Sequence, residues 1–245
     1  MLSWLLGWVW WLLLPVRRSL ACDSFRRCLP DLQPGPHLRR SVGTLVAQYI
    51  GLLLGTRCTI EGLEHARGGG LCLAGHFAAW EIMAASLARE IPVTAFIREP
   101  SSPLAARLIT WLRGRGTDLE LLTASDSPRR AYDALEAGRL VLLLQDQRHN
   151  DGIMTTFFGR PCRTSPAFGA MAWMARPKLL TIHQWRDGRR HRARIEPLDL
   201  PIPDGRRAAT VALTQASQDF YEDIIRRHPD GWLWLHDRWK LPGKD

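Results

Sequence analysis

The chain opens with sixteen residues that carry no charge, Met1 to Val16, and then meets Arg17-Arg18. As a helix this stretch reaches ~24 Å, a little short of the ~30 Å hydrocarbon core of a bilayer. A second uncharged stretch, Ser41 to Gly55, is too short to span alone and suits an interface or a packed core. After about residue 55 short apolar runs alternate with helical ones, and no Pro/Ser-rich linker interrupts them. The runs predict strands at Leu71–Ala74, Pro92–Ile97, Leu119–Leu122, Leu140–Leu144 and Leu179–Gln184. Between them fall helices at Ile82–Leu87, Leu104–Arg113 and Pro128–Glu136, the last closed by Gly138, and a further helix after Pro166. Alternation of this kind predicts an α/β fold: a central, mostly parallel sheet flanked by helices, with chemistry at the strand ends. The N-terminal part reads as a membrane-associated helical segment over 1–55, followed by one α/β domain over 56–245. The tail from Trp232 to Lys240 alternates apolar and polar residues, which fits a short strand or an interfacial aromatic belt.

Composition sharpens the N-terminal reading. Four of the eleven tryptophans, Trp4, Trp8, Trp10 and Trp11, fall in the first eleven positions, a concentration suited to a lipid interface. A cleaved signal peptide carries its positive charge before the apolar run, whereas here Arg17, Arg18, Arg26, Arg27, Arg39 and Arg40 follow it. The order favours an anchor and, by the positive-inside rule, an inner-membrane protein whose body faces the cytoplasm. Net charge is +9, with thirty arginines against three lysines. Anionic lipid, phosphate and acidic proteins are all attracted to such a surface. No nucleic-acid motif accompanies the charge. The five cysteines contain no Cys-x-x-Cys pair, and there is no His-Glu-x-x-His, Gly-x-Ser-x-Gly, phosphate-binding or dinucleotide-binding loop. Neither metal nor cofactor is expected.

The candidate chemistry lies at Gly75-His76-Phe77-Ala78-Ala79-Trp80-Glu81, where a strand meets a helix. If His76 precedes the helix and Glu81 sits in its early turns, the pair is a general base with an orienting carboxylate; the plainer alternative is a capping histidine and an exposed helix glutamate. Arg98 and Gln145-Asp146-Gln147 also fall just past predicted strands, so three segments converge on one pocket by topology.

Taken in order, the motifs resemble the bacterial lipid A biosynthesis acyltransferases, the lauroyl/myristoyl transferases of the lysophospholipid acyltransferase superfamily. They are the His76 segment, Ile97-Arg98-Glu99-Pro100, Gly138 to Gln147, Phe157-Phe158-Gly159-Arg160-Pro161, and His228-Pro229-Asp230-Gly231-Trp232 through His236. The resemblance implies a membrane-bound O-acyltransferase moving a fatty acyl group from an acyl carrier protein or acyl-coenzyme A thioester to a hydroxyl of a lipid A precursor or related glycolipid. His76 would act as base with Glu81 orienting it, and no covalent enzyme intermediate is required. The oxyanion would fall to Arg98 or to backbone N–H groups of residues 76–78. Asp146, with Gln147 beside it, has two functional readings, orienting His76 or binding the acceptor sugar, and a structural one as a turn residue. Gly159-Arg160 suits either an anionic acceptor or a tight turn. Asp237 stands where arginine is usual, so no role is carried onto it, and two other departures bear on the substrate more than on the reaction: Ala78-Ala79 stand where Gly-Asn is common, and the chain is shorter than many members. Two alternatives stay open, an acyltransferase of another glycolipid such as a phosphatidylinositol mannoside, and a non-catalytic basic membrane-binding protein.

Overall fold

In the computed structural model, residues 2–97, 111, 113, 115–123, 126–127 and 129–241 are described. Three helices come first: α1 (Leu2–Leu12), α2 (Arg18–Cys28) and α3 (Pro34–Leu53). There follow β1 (Cys58–Glu61), α4 (Leu63–Ala66), β2 (Gly70–Ala74), α5 (Trp80–Leu87), β3 (Val93–Phe96), β4 (Leu119–Leu122), α6 (Arg129–Glu136) and β5 (Leu140–Leu144). The remainder is β6 (Ile153–Phe157), β7 (Arg160–Thr164), α7 (Ala167–Ala175), β8 (Leu179–Asp187), β9 (Arg190–Pro197) and α8 (Arg206–Arg227).

Seven strands form one sheet in the order β1-β9-β8-β2-β5-β3-β4. Every neighbouring pair is parallel except the β8–β9 hairpin. The sheet is therefore mostly parallel, as the alternation predicted, and β6–β7 stands apart as a separate hairpin. Helices cover both faces, so the central strands are apolar on both sides. In β2 and β5, Leu71, Leu73, Val141 and Leu143 pack on one face with α7 and α8. Cys72, Ala74, Leu140 and Leu142 pack on the other with α5. The period of two along each strand sorts these side chains.

Helix α1 lies against α3. A Cβ on Gly7 would strike the carbonyl of Arg39, and one on Gly43 the carbonyl of Ser3. These glycines let the two backbones touch, and α1, of eleven residues, is about 16 Å long. No helix among the described residues is long and apolar enough to cross a membrane.

One expectation changes on the structure. The tail is neither strand nor aromatic belt: it makes a single isolated bridge, Phe77 to Trp232, and Trp232, Trp234 and Trp239 are buried. Their indole N–H groups find oxygen partners, Asp146, Pro229 and Phe157 respectively, so these rings bury without an orphaned donor. His183 is buried within β8 and stacked on Trp185. The predicted helix Leu104–Arg113 lies largely outside the described residues.

Candidate active site

Ala74 and Leu144 are register partners at the carboxyl ends of adjacent strands β2 and β5. Two residues further along each strand come His76 and Asp146, so parallel pairing alone carries the two side chains to one point. His76 Nδ1 lies 2.9 Å from Asp146 Oδ1, and the His76 backbone N–H donates to Asp146 Oδ2 at 3.0 Å. The Trp232 indole N–H donates to the same Oδ2 at 2.9 Å. Asp146 is fully buried. Desolvation pushes its carboxyl up, but the imidazole charge and the bonds from His76 and Trp232 outweigh it and hold the group below the usual aspartate range. With Asp146 ionised, Nδ1 carries the proton it donates, which leaves the lone pair of the ring on Nε2. The ring meets Trp80 edge-on at 5.0 Å between centroids, and its side chain is 20% exposed.

Tyr221 of α8 ties the two strand ends together from below. Its hydroxyl donates to the Ala74 carbonyl at 2.7 Å and accepts from the Gln145 N–H at 3.0 Å. The buried guanidinium of Arg238 donates to the Arg163 carbonyl at 2.6 Å and to Gln218 Oε1 at 2.8 Å, joining β7, α8 and the tail. His236 Nε2 accepts from the Arg148 N–H at 2.9 Å, and burial lowers its pKa to about 4, which keeps it a neutral acceptor.

Glu81 sits in the first turn of α5, as the spacing suggested, but meets a different partner from the one expected. It is the second residue of α5, and its backbone N–H donates to Gln48 Oε1 at 3.2 Å. Its carboxylate receives both arms of Arg113, one at 2.7 Å through Nε and a second through Nη2, in a pair 5% and 14% exposed. Burial alone would lower the guanidinium pKa, but the bond and charge of Glu81 raise it. The carboxylate beside His76 is thus Asp146, because the strand ends meet in register while the α5 turn carries Glu81 towards the chain following β3.

The other sequence candidates separate. Arg98 lies outside the described residues. Gln147 is half-buried directly after Asp146. Phe158 and Gly159 both take positive φ, 49° and 68°, as a two-residue hairpin turn between β6 and β7 requires. Open space surrounds a Cβ placed at Gly159, so the turn, and no close ligand approach, explains the glycine. The guanidinium of Arg160 stacks over Trp239 at 4.5 Å, and Trp239 stacks on Phe157, which meets Trp232. Arg160 is therefore linked to Asp146 through three aromatic rings. The backbone donors suggested for an oxyanion are already engaged: His76 N with Asp146, Phe77 N with the Gly75 carbonyl, and Ala78 N with that of Gly231. The roles of Trp232, Tyr221 and Arg238 escaped sequence reasoning, since neither an aromatic residue in a helix or an apolar tail nor one arginine among thirty carries a mark of its partner.

Fold and site together define an α/β protein with a carboxylate-bound histidine at the carboxyl edge of a mostly parallel sheet. Residues 54–241 match the family model of the bacterial lipid A biosynthesis acyltransferases, and the chain belongs to that family. It is 27% and 28% identical, over 192 and 194 residues, to phosphatidylinositol mannoside acyltransferases from two strains of Mycobacterium tuberculosis. Those matches cover 74% of this chain and 59% of each relative, so the matched region spans under two thirds of the curated relatives' length. Among solved structures, the 1-acyl-sn-glycerophosphate acyltransferase PlsC from Thermotoga maritima aligns over 90% of this chain and 95% of its own. The identity there is 14% and the TM-score 0.38.

Proposed function

We propose that this protein is an O-acyltransferase that moves a fatty acyl group from an acyl carrier protein or acyl-coenzyme A thioester to a hydroxyl of a membrane glycolipid. The observation that carries the reading is the His76 Nδ1–Asp146 contact at the matched ends of β2 and β5. His76 Nε2 takes the proton of the acceptor hydroxyl as its oxygen attacks the thioester carbonyl. Asp146 fixes the tautomer and stabilises the imidazolium, and the thiolate leaves with a proton from His76. Direct transfer is favoured over a cysteine-linked intermediate, because burial raises the Cys28 and Cys58 thiols to about 12 and Cys72 further still. Glu81 is a positioning residue in this scheme, acting through Arg113.

The family favours a lipid A precursor as acceptor, and the two relatives favour a phosphatidylinositol mannoside; both are glycolipids with free sugar hydroxyls. The basic surface suits an acidic carrier protein as donor. We place the protein on the cytoplasmic face of the inner membrane, held by residues 1–55 with the catalytic domain over 56–245. Exposed Trp4, Leu5, Leu13 and Val16 beside Arg17 and Arg18 support interfacial seating.

The test incubates purified chain and its His76→Ala variant with acyl carrier protein and coenzyme A thioesters, offering each glycolipid in turn, with acylated product read by mass. His76-dependent product with one acceptor fixes the reaction and its substrate. A folded His76→Ala protein that transfers as well as the parent overturns the mechanism. Thioester stability with every acceptor favours the membrane-binding alternative.

A further inference from the structure

A cavity of about 500 Å³ opens between the N-terminal helices and the end of β8. Its size is that of a small-molecule site. Three guanidinium groups line it, from Arg39, Arg40 and Arg186, against one carboxylate, Asp230. Arg40 Nη1 holds Asp230 at 2.7 Å, which balances that pair. Arg39 instead stacks over Trp8 at 4.0 Å, and Arg186 donates to the Ser3 hydroxyl and, through Nε at 3.0 Å, to the Gly188 carbonyl. Neither Arg39 nor Arg186 has an ion-pair partner among the described residues, so two positive charges face the cavity uncompensated.

A second observation comes from Gln184, a lining residue only 2% exposed. Its amide N–H donates to the Phe77 carbonyl, while its Oε1 is buried without a hydrogen-bond partner among the described residues. A buried acceptor left unsatisfied is destabilising, and a ligand hydroxyl would recover that loss. The indoles of Trp8 and Trp185 also line the walls, Trp8 under Arg39 and Trp185 stacked with His183 and His228, and the ring surface they leave to the cavity is apolar wall for the C–H face of a saturated ring. Cations for an anion, an acceptor for a hydroxyl and flat faces for a ring point to one ligand chemistry.

We propose that this cavity binds a phosphorylated, polyhydroxylated ring. Arg39 and Arg186 engage the phosphate, and Gln184 Oε1 accepts from a ring hydroxyl. Such a ring arrives as a lipid headgroup or as a free sugar phosphate. The wall nearest the catalytic strand ends is formed by Ala78 and Gly231, whose backbones are joined by the Ala78 N–H at 2.6 Å. Occupancy thus bears on the segment that carries His76. Naming the ring as the headgroup of the acceptor rests on the acyltransferase reading; binding does not.

Calorimetry on the full chain tests it, with myo-inositol 1-phosphate and glucosamine 1-phosphate as probes beside myo-inositol and inorganic phosphate. The phosphorylated rings are expected to bind at least ten-fold tighter than either fragment. Arg186→Gln and Arg39→Gln are each expected to weaken them ten-fold or more at an unchanged melting temperature. Equal affinity for inorganic phosphate, undiminished binding by both folded variants, or no binding of either probe overturns the proposal. Flotation with vesicles of equal charge, carrying phosphatidylinositol or phosphatidylglycerol, assigns the source: an Arg186-dependent preference for phosphatidylinositol marks a lipid headgroup, and equal flotation marks the free sugar phosphate. His76→Ala is expected to bind the probes normally. A parent protein that binds them yet transfers nothing keeps the site and discards the acyltransferase reading.

Discussion

At the scale of single residues, two side chains set the chemistry and a third carries a strain. His76 is aligned by a buried aspartate that accepts three hydrogen bonds. Changing Asp146 to Asn preserves volume but turns an acceptor of the Nδ1 proton into an amide, which favours the wrong tautomer. Loss of the carboxylate behind a catalytic histidine costs about 10⁴-fold in turnover where the same arrangement has been measured. Asp146→Asn is therefore expected to lower kcat by about 10³–10⁴-fold with a small change in KM, as steady-state transfer assays would read; a loss under ten-fold removes Asp146 from the base. Ala78 holds φ at 43°, a left-handed conformation that disfavours a Cβ. Glycine at this position needs no such strain. Ala78→Gly is expected to stabilise the fold by about 0.5–1 kcal/mol, the strain relieved less the extra chain entropy. A thermal melt measures it, and a lower melting temperature refutes it.

Among the elements, Glu81 reaches from α5 to Arg113, joining that helix to the chain between β3 and β4. Removing one partner of a buried ion pair leaves a lone charge in an apolar setting, at a cost of about 3–5 kcal/mol. Glu81→Leu alone is expected to destabilise by about that amount, whereas adding Arg113→Leu recovers most of it, a coupling that denaturant titration of the parent, the two single variants and the double would expose. Additive losses would show that the pair is not coupled. The pH profile of residual transfer by Glu81→Gln is expected to match the parent, since Glu81 does not contact the base. The elements show what the chain makes legible. Strands Leu119–Leu122 and Leu140–Leu144 match their predicted bounds because buried parallel strands are short apolar runs between turn residues. His76 was legible as a residue at a strand end and Asp146 as one of its candidate partners, but the choice between Asp146 and Glu81 was not. Glu81 is five positions away in sequence and Asp146 seventy; only the pairing of β2 with β5, a long-range contact, decides between them. The tail misled for a related reason: alternation of Trp232, Trp234 and their neighbours looks like a strand, but each indole is fixed by an oxygen from elsewhere in the fold.

For the molecule as a whole, stability and membrane seating follow from where charge is tolerated. His183 and His236 are both lowered from 6.5 to about 4 by burial, so each stays neutral in the fold and charges more readily in the unfolded chain. The unfolded state binds the extra protons between those two values, and stability must fall as pH drops from about 6.5 towards 4. Melting temperatures across that window are expected to decline, less steeply for His183→Gln than for the parent. The outer surface presents the opposite case, apolar side chains left in water. Trp4 is 69% exposed and Leu13 72%, in the same segment as Arg17 and Arg18. Charge attraction to anionic lipid is screened within ~3 Å at 1 M salt, whereas buried apolar area is not. If α1 lies in the interface, binding to phosphatidylglycerol vesicles keeps a salt-resistant fraction, and Trp4→Ser with Leu13→Ser removes that fraction without moving the melting temperature. Complete release of the parent protein at 1 M salt would mean that arginine alone holds it to lipid, and α1 would then need another partner to cover its apolar face.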